Sequence, residues 1–343
     1  MNEIAVRRPR RLWLYAPLLL VILLAGAWTG VWFYAAQRAE TLIAAWIERE
    51  ASNGRTYACA SRKVGGYPFR IEVRCAEPTV TLREGGETVV LKARELLAVA
   101  QIYQPDLVIA EASGPMTVAT GAGQPLYVAE WKLLQASLRG RPRAPERVSL
   151  VVDSPKLNAA AGEAVARAER LEAHARRSPG ADAGNPAFDL TVQTTKGSVS
   201  IFPALADKPF DAEALAVLHG VKDFAAKPMP ERLREWQAAG GRLELKSARF
   251  KQGEALAVAK GEVGLSAEGR LDGSIALTLA GLDHVANMLL GQGGTGRMGL
   301  LAGLSMLGRT ELEGRRAVSL PLHFRDGRVF FGPIPVGRLE ALY

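Results

Sequence analysis

The chain has 343 residues, of which 48% are apolar and 23% charged, with a formal net charge of +8. This balance excludes a globally disordered chain. Four arginines near the start carry much of the positive excess, so what remains is too mild for a nucleic-acid-binding surface.

Residues 1–11 hold Arg7, Arg8, Arg10 and Arg11 against Glu3, and residues 12–36 carry no charge. As a helix this run spans roughly 37 Å, enough for a bilayer core of about 30 Å. Trp13 and Tyr15 lie at one end, and Trp28, Trp32, Phe33 and Tyr34 at the other, as headgroup-level rings should. The arginines before the run place residues 1–11 in the cytoplasm as a tail, residues 12–36 as a transmembrane helix, and the rest outside. A cleaved signal peptide is the alternative, because Ala25-Gly26-Ala27 resembles a cleavage site. The apolar run, however, continues past it through Trp28, Val31 and Trp32. Residues 37–54 extend the helix amphipathically, with Ala39, Leu42, Ile43, Trp46 and Ile47 at helical spacing and Asn53-Gly54 as the stop.

From residue 55 onwards the chain reads as one large β-rich domain; its 35 glycines and 19 prolines favour many short strands. Predicted strands over 57–63 and 68–75 flank Gly65-Gly66 and set Cys59 opposite Arg74 or Cys75. In an oxidising compartment these two cysteines, the whole cysteine content, are expected to form a cross-strand disulfide. A meander follows over 79–84, 87–93, 96–103, 107–112, 116–120, 126–134, 136–139 and 148–153, with Gly85-Gly86 and Gln104-Pro105-Asp106 among its turns. Residues 159–177 have helical composition, yet Leu171, Ala173 and Ala175 alternate with Glu172, His174 and Arg176; they are read as a strand pair. Strands over 188–194 and 197–202 follow.

Asp211 predicts a capped helix to about 221, and Pro230 opens a second to about 239, ended by Gly240-Gly241. The interval 205–240 is the best internal boundary. Strands resume over 242–249, 255–260, 262–267 and 274–280. A helical hairpin is predicted over 283–290 and 297–307, and two last strands meet at Asp326-Gly327.

Several phrases follow in order: Gly66-Tyr67-Pro68-Phe69-Arg70, Gln101-Ile102-Tyr103-Gln104-Pro105, Gly114-Pro115, Gly261-Glu262-Val263, Gly269-Arg270-Leu271-Asp272-Gly273 and Asp326-Gly327-Arg328-Val329. Together they resemble the uncharacterised proteobacterial envelope family catalogued as domain of unknown function 2125. More distantly the chain is similar to AsmA-like envelope proteins. That similarity implies an inner-membrane helix, an elongated sheet folded into an apolar groove, and a part in moving lipids. The nearer family implies no catalytic residue.

The residues themselves offer little chemistry. His174, His219, His284 and His323 lie far apart in sequence and in no metal-ligand spacing. Gly291-Gln292-Gly293-Gly294-Thr295-Gly296 matches GxGxxG but lacks the strand before it that a dinucleotide site needs. The arginines of the 139–147 loop suit either solvent or anionic headgroups. The expected fold is mainly β: an N-terminal transmembrane helix, then a large curved, groove-like antiparallel sheet with a few short helices. The expected function is lipid binding or conduction along an apolar sheet face in the periplasm, with Val263 and Leu277 facing the lipid. A structural or assembly role through envelope proteins is the alternative, and a periplasmic hydrolase the third reading; no enzyme, cofactor, metal or nucleic-acid partner is expected. The expected partners are the membrane, a phospholipid or other apolar ligand, and envelope proteins.

Overall fold

The computed structural model describes residues 12–343 apart from 85–86, 122, 142–143, 182–185, 207, 226, 286–308 and 333. Helix α1 (Leu12–Ser52) runs unbroken for 41 residues, about 61 Å at helical rise, so the apolar run and its amphipathic continuation are one rod. It stops where Asn53 and Gly54 donate to Glu50 and Ala51 carbonyls.

Strands then dominate. The first are β1 (Arg55–Ala58), β2 (Ser61–Gly65), β3 (Arg70–Ala76), β4 (Thr79–Glu84), β5 (Glu87–Lys92), β6 (Glu95–Gln101), β7 (Gln104–Ser113) and β8 (Met116–Thr120). Next come β9 (Pro125–Glu130), β10 (Leu133–Arg141), β11 (Ala144–Asp153), β12 (Lys156–Ala159), β13 (Ala164–Arg167), β14 (Arg170–Arg177) and β15 (Ala187–Val199). A short turn, α2 (Pro203–Ala206), precedes β16 (Phe210–His219), and α3 (Met229–Ala238) precedes β17 (Arg242–Gln252), β18 (Ala255–Leu265) and β19 (Leu271–Ala280). Last are β20 (Arg309–Leu312), β21 (Arg315–Arg325), β22 (Arg328–Phe331) and β23 (Ile334–Arg338).

All 23 strands belong to one sheet, and every pairing is antiparallel. The chain alternates between two parts of it. One part runs β1-β4-β5-β8-β9-β12-β13. The other runs β2-β3-β6-β7-β10-β11-β14-β15-β16-β17-β18-β19-β21 and onwards. Between the parts lie Glu77-Pro78, Ala93-Arg94, Gly114-Pro115, Trp131-Lys132, Ser154-Pro155 and Ala168-Glu169. These points pair with one another: Glu77 N–H donates to Arg94 O, Arg94 to Ser113 O, Lys132 to Asp153 O, Ser154 to Glu169 O, and Glu169 to Thr195 O. Neighbouring long strands therefore break at a shared line, and the sheet bends along it. Its chemistry is local. Prolines remove ladder donors, while Glu77, Ser154 and Lys196 adopt φ of 49°, 51° and 48°, which re-aims the strand; at Lys196 the register against β16 also shifts by one residue.

The register shows why the larger part holds together. One cross-strand row reads Val73–Ala98–Ala110–Ala136–Leu150–Ala173. It continues Val192–Ala214–Ala248–Ala259–Leu277–Leu320. The rows on either side on the same face, from Cys75–Leu96 to Leu279–Val318 and from Ile71–Ala100 to Ile275–Leu322, carry no charge; Thr194 is their one polar member. The opposite face holds Arg74, Glu111, Gln135, Glu172, Gln193, Glu213 and Arg249. Eleven strand spacings of about 4.8 Å make the apolar face about 53 Å wide. The smaller part has its own apolar row, Tyr57–Val80–Leu91–Val118–Tyr127–Ala159.

Among the described residues little covers these faces. The chain exposes 22472 Å², where a compact monomer of 36.8 kDa exposes about 14,000 Å². The protruding α1 accounts for part of the excess. Among the described residues the buried clusters lie at the β18–β19–β21 end, where Ala255, Leu279 and Val285 cluster with Leu277 and Leu320 on one face, and Leu256, Ala280 and Ala317 on the other, while Phe188 of β15 is buried apart from them.

Several expectations need correction, among them the breaks between 188–194 and 197–202 and between 255–260 and 262–267, since β15 and β18 each run through as one strand. The helix from Asp211 is strand β16: Phe210, Ala212, Ala214 and Leu218 alternate with Asp211, Glu213 and Val217, and partners on both sides override the helical preference of alanine and leucine. The single strand over 57–63 is broken at Cys59-Ala60 by the bend line, and the 126–134 strand is broken at Trp131-Lys132. The β6–β7 turn lies at Ile102-Tyr103, and Pro105 is inside β7. Most of the 283–290 helix, all of 297–307 and the glycine-rich 291–296 loop lie outside the described residues, as does Gly85-Gly86. The strand pair within 159–177 and the 230–239 helix match β13, β14 and α3.

Candidate functional site: an apolar sheet face and its anchored edge

Among the described residues the apolar face is covered at two places. At one, Val285 rests on Ala255 and Leu279. At the other, the segment before α3 sets Phe224 against Phe188, ring centroids 4.8 Å apart. There α3 is tied to the sheet by Trp236 Nε1–H donating to the His219 carbonyl at 2.6 Å. Gly241 lets this ring in, since a Cβ there would lie 2.2 Å from Trp236 Nε1. Between α3 and the sheet is a hollow of about 370 Å³ lined by Leu218, Phe224, Met229, Leu233, Trp236 and Leu243.

Between these covers no described residue lies over the face. Val192, at its centre, is 47% exposed. It borders a hollow of about 290 Å³ with Ala212, Ala214, Ala248, Phe250 and Ala259. The alanine-rich floor makes this hollow: small side chains leave depth that a leucine row would fill. Leu277 and Val263 both lie on this face, Leu277 opposite Ala259 and Val263 opposite Leu243. Leu277 also packs with the covered cluster at the Val285 end.

The β2–β3 edge of the sheet is held by α1. Trp28 Nε1–H donates to Pro68 O at 2.8 Å, Trp32 Nε1–H to Arg70 O at 2.9 Å, and Thr29 Oγ1 and Tyr67 Oη are 2.9 Å apart. Trp32, 7% exposed, stacks edge-on against Tyr67, and Trp28 meets Phe69. The next hairpin tip joins them, with Ile102 N–H donating to Phe69 O. Further along α1, Trp46 meets Tyr57 at 4.5 Å and Glu50 pairs with Arg55. The indoles assigned to a headgroup layer are thus also the residues that dock the first hairpin. Sequence reading missed this use; the signal was the aromatic pair of Tyr67-Pro68-Phe69, more apolar than a solvent turn needs. Tyr15 and Tyr34 are exposed. The side chains of Trp13, Arg7, Arg8, Arg10 and Arg11 lie outside the described residues.

Cys59 and Cys75 stand at disulfide distance with Cα atoms 5.5 Å apart. Their register differs from the expected one, because Cys75 pairs with Arg62 and Cys59 sits on the bend line before β2.

The polar face carries the titratable groups. Among the described residues no group of three or more His, Cys, Asp or Glu could hold a metal. His174 lies 3.3 Å from Glu172, His219 lies 3.8 Å from Glu244, and His284 and His323 are elsewhere. Ser149 stands opposite His174 across β11–β14, but His174 Nε2 is turned to Glu172, and no Ser149–His174 hydrogen bond is formed among the described residues. The Glu172 carboxyl is held below the usual range by the Arg170 guanidinium first and His174 second. Asp189 is lowered likewise, by the Ser178 hydroxyl and then Arg176.

Fold and site together define a single-sheet β protein carrying an N-terminal helix long and apolar enough to span a membrane. The chain belongs to the family described as "Uncharacterized protein conserved in bacteria (DUF2125)", whose model matches residues 32–340. Neither the curated proteins nor the solved structures include a match, so the wider likeness to AsmA-like proteins stays outside what these comparisons show.

Proposed function

We propose that this is an inner-membrane protein, N-terminus cytoplasmic and sheet periplasmic, whose open apolar face binds the acyl chains of lipid. One observation carries the reading: a charge-free face twelve strands wide with Val192 at its centre 47% exposed. An apolar surface of that extent is a liability in water unless something apolar rests on it. Among the described residues, Val285 and the segment with α3 cover two places on it and leave the middle bare. Its depth also fits, since an alanine floor admits a chain without displacing side chains.

The test is lipid retention by the full chain, purified in neutral detergent and washed extensively. Mass spectrometry after organic extraction should find phospholipid in excess of what α1 alone retains. Val192→Asp should lower that amount several-fold while circular dichroism stays unchanged. Equal lipid in both proteins contradicts the proposal.

A second reading, assembly with envelope proteins, is favoured by the other end of the sheet. Strand β23 is exposed along its whole length, with Ile334 57% and Val336 56% exposed, and it pairs only with β22 among the described strands. An edge of that kind accepts a strand from another protein. Replacing Val336 with Pro should abolish such a partner and leave lipid retention intact.

A further inference from the structure

Three arginines stand directly opposite one another on the polar face. Arg139 of β10 faces Arg147 of β11, and Arg147 faces Arg176 of β14. Directly opposed residues in such a ladder have Cα atoms about 4.5–5.5 Å apart, and like charges there repel. The outer two have carboxylates at their far sides: Arg139 reaches Asp106 at 3.6 Å and Arg176 reaches Asp189 at 3.0 Å. The central Arg147 is exposed, and no carboxylate pairs with it among the described residues. Beside it a hollow of about 720 Å³ is lined by Arg147, Ser149, His174, Arg176, Thr191 and Lys246. Asp189 also borders this hollow, but its oxygens already accept from Arg176 and Ser178.

From these contacts we infer that the Arg139–Arg147–Arg176 row is a binding site for a phosphate group. Guanidinium forks match phosphate oxygens in pairs, and a shared dianion would turn the repulsion within the row into attraction. Ser149 and Thr191 would add hydroxyl donors.

The row's place indicates one source of phosphate. On the other side of the β6–β7 irregularity its cross-strand line leads through Gln101 to Arg70, whose carbonyl holds Trp32. Trp32 lies about 30 Å along α1 from Leu12, the thickness of a bilayer core. If α1 spans a membrane, the part of the reading above on which this step rests, the row stands level with the headgroups where the helix emerges. The phosphate site itself rests on the register alone and does not depend on what the apolar face holds.

The experiment is thermal unfolding of the full chain in neutral detergent, with sodium phosphate against sodium chloride at matched ionic strength. Wild type should be raised several degrees by phosphate beyond chloride. Arg147→Gln should lose that increment, Arg147→Lys should keep part of it, and in chloride alone Arg147→Gln should be at least as stable as wild type. No increment in wild type, or the same increment in Arg147→Gln, overturns the proposal. Calorimetric titration then separates the sources. Dihexanoyl phosphatidic acid binding at least tenfold tighter than inorganic phosphate supports a lipid headgroup. Equal affinity supports a phosphorylated solute at the same arginines. Lipid retention measured at Val192 is unaffected by either result, so the two proposals fail separately.

Discussion

Val192 and Leu277 share one cross-strand row, yet a charge at each has a different consequence. Leu277 packs into the Ala255–Leu279–Val285 cluster, so Leu277→Asp sets an unpaired carboxylate against apolar groups and should cost about 2–3 kcal/mol. Val192 faces the open middle, and Val192→Asp should change stability by no more than about 0.5 kcal/mol. Denaturant titration of the two variants checks the contrast; equal losses would mean that the middle of the face is closed as well. At the bend line, Cys59→Ser removes a cross-link across a 16-residue separation. It should lower stability by about 2–4 kcal/mol, and non-reducing peptide mapping of the wild type should recover Cys59 joined to Cys75. Trp32→Phe keeps the ring but removes the donor to Arg70 O; the expected loss is about 1 kcal/mol, with faster hydrogen exchange across the β2–β3 hairpin.

Among the elements, the segment leading into α3 is ordered around the Asp223 carboxylate. Asp223 accepts the Ala225 N–H at 2.8 Å and Lys227 Nζ at 3.2 Å, and Lys227 reaches on to Glu235 of the helix. The backbone hydrogen bond is the larger cause holding Asp223 below the ordinary aspartate range, with Lys227 next. A depressed folded-state pKa means that this stabilisation is present above the ordinary value and is lost as pH falls through the depressed one. Hydrogen exchange over 221–239 should therefore accelerate in acid, below about pH 4, before the strands of the larger sheet respond. Asp223→Asn should be looser at neutral pH and show much less of that acid step. How far each element was legible follows from its physics. Helix α3 carried its own signals, Pro230 at the start and Gly240-Gly241 at the end. Strand β14 was readable from its alternation, and β13 from the strands expected on both sides of the pair. The alternation of β16 was equally visible, but Asp211 before an Ala/Leu run imitates a capped helix, and only the partners β15 and β17 decide the matter. The bend line was not legible at all. It is a property of neighbouring strands breaking in step, and no single Pro or positive-φ residue announces it.

For the whole molecule, a sheet this wide was foreseeable from the number of strand segments, and so was the shortage of helix to cover it. What sequence could not supply was the register, and the candidate sites live there. The charge-free face exists because Ala98, Ala110, Ala136, Ala173, Ala214 and Ala248 fall on one line. The arginine row exists because residues 139, 147 and 176 fall on another. Neither spacing repeats along the chain, because the turns between strands differ in length. The docking of α1 was half visible: its rings were read as anchors, and their hydrogen bonds to the Tyr67–Arg70 turn became apparent only in three dimensions. This contact fixes the start of the sheet next to the helix, so the apolar rows begin at the strand that α1 holds and lead away from it.

The central claim is that the middle of this face meets lipid rather than the chain's own side chains. A photoreactive amino acid placed at Val192, on the apolar face, and in a second protein at its neighbour Gln193, on the polar face, tests it in intact cells. Phospholipid adducts at position 192 and few or none at 193 are the expected result. Adducts from 192 to other residues of the same chain, or lipid captured equally at both positions, would contradict it.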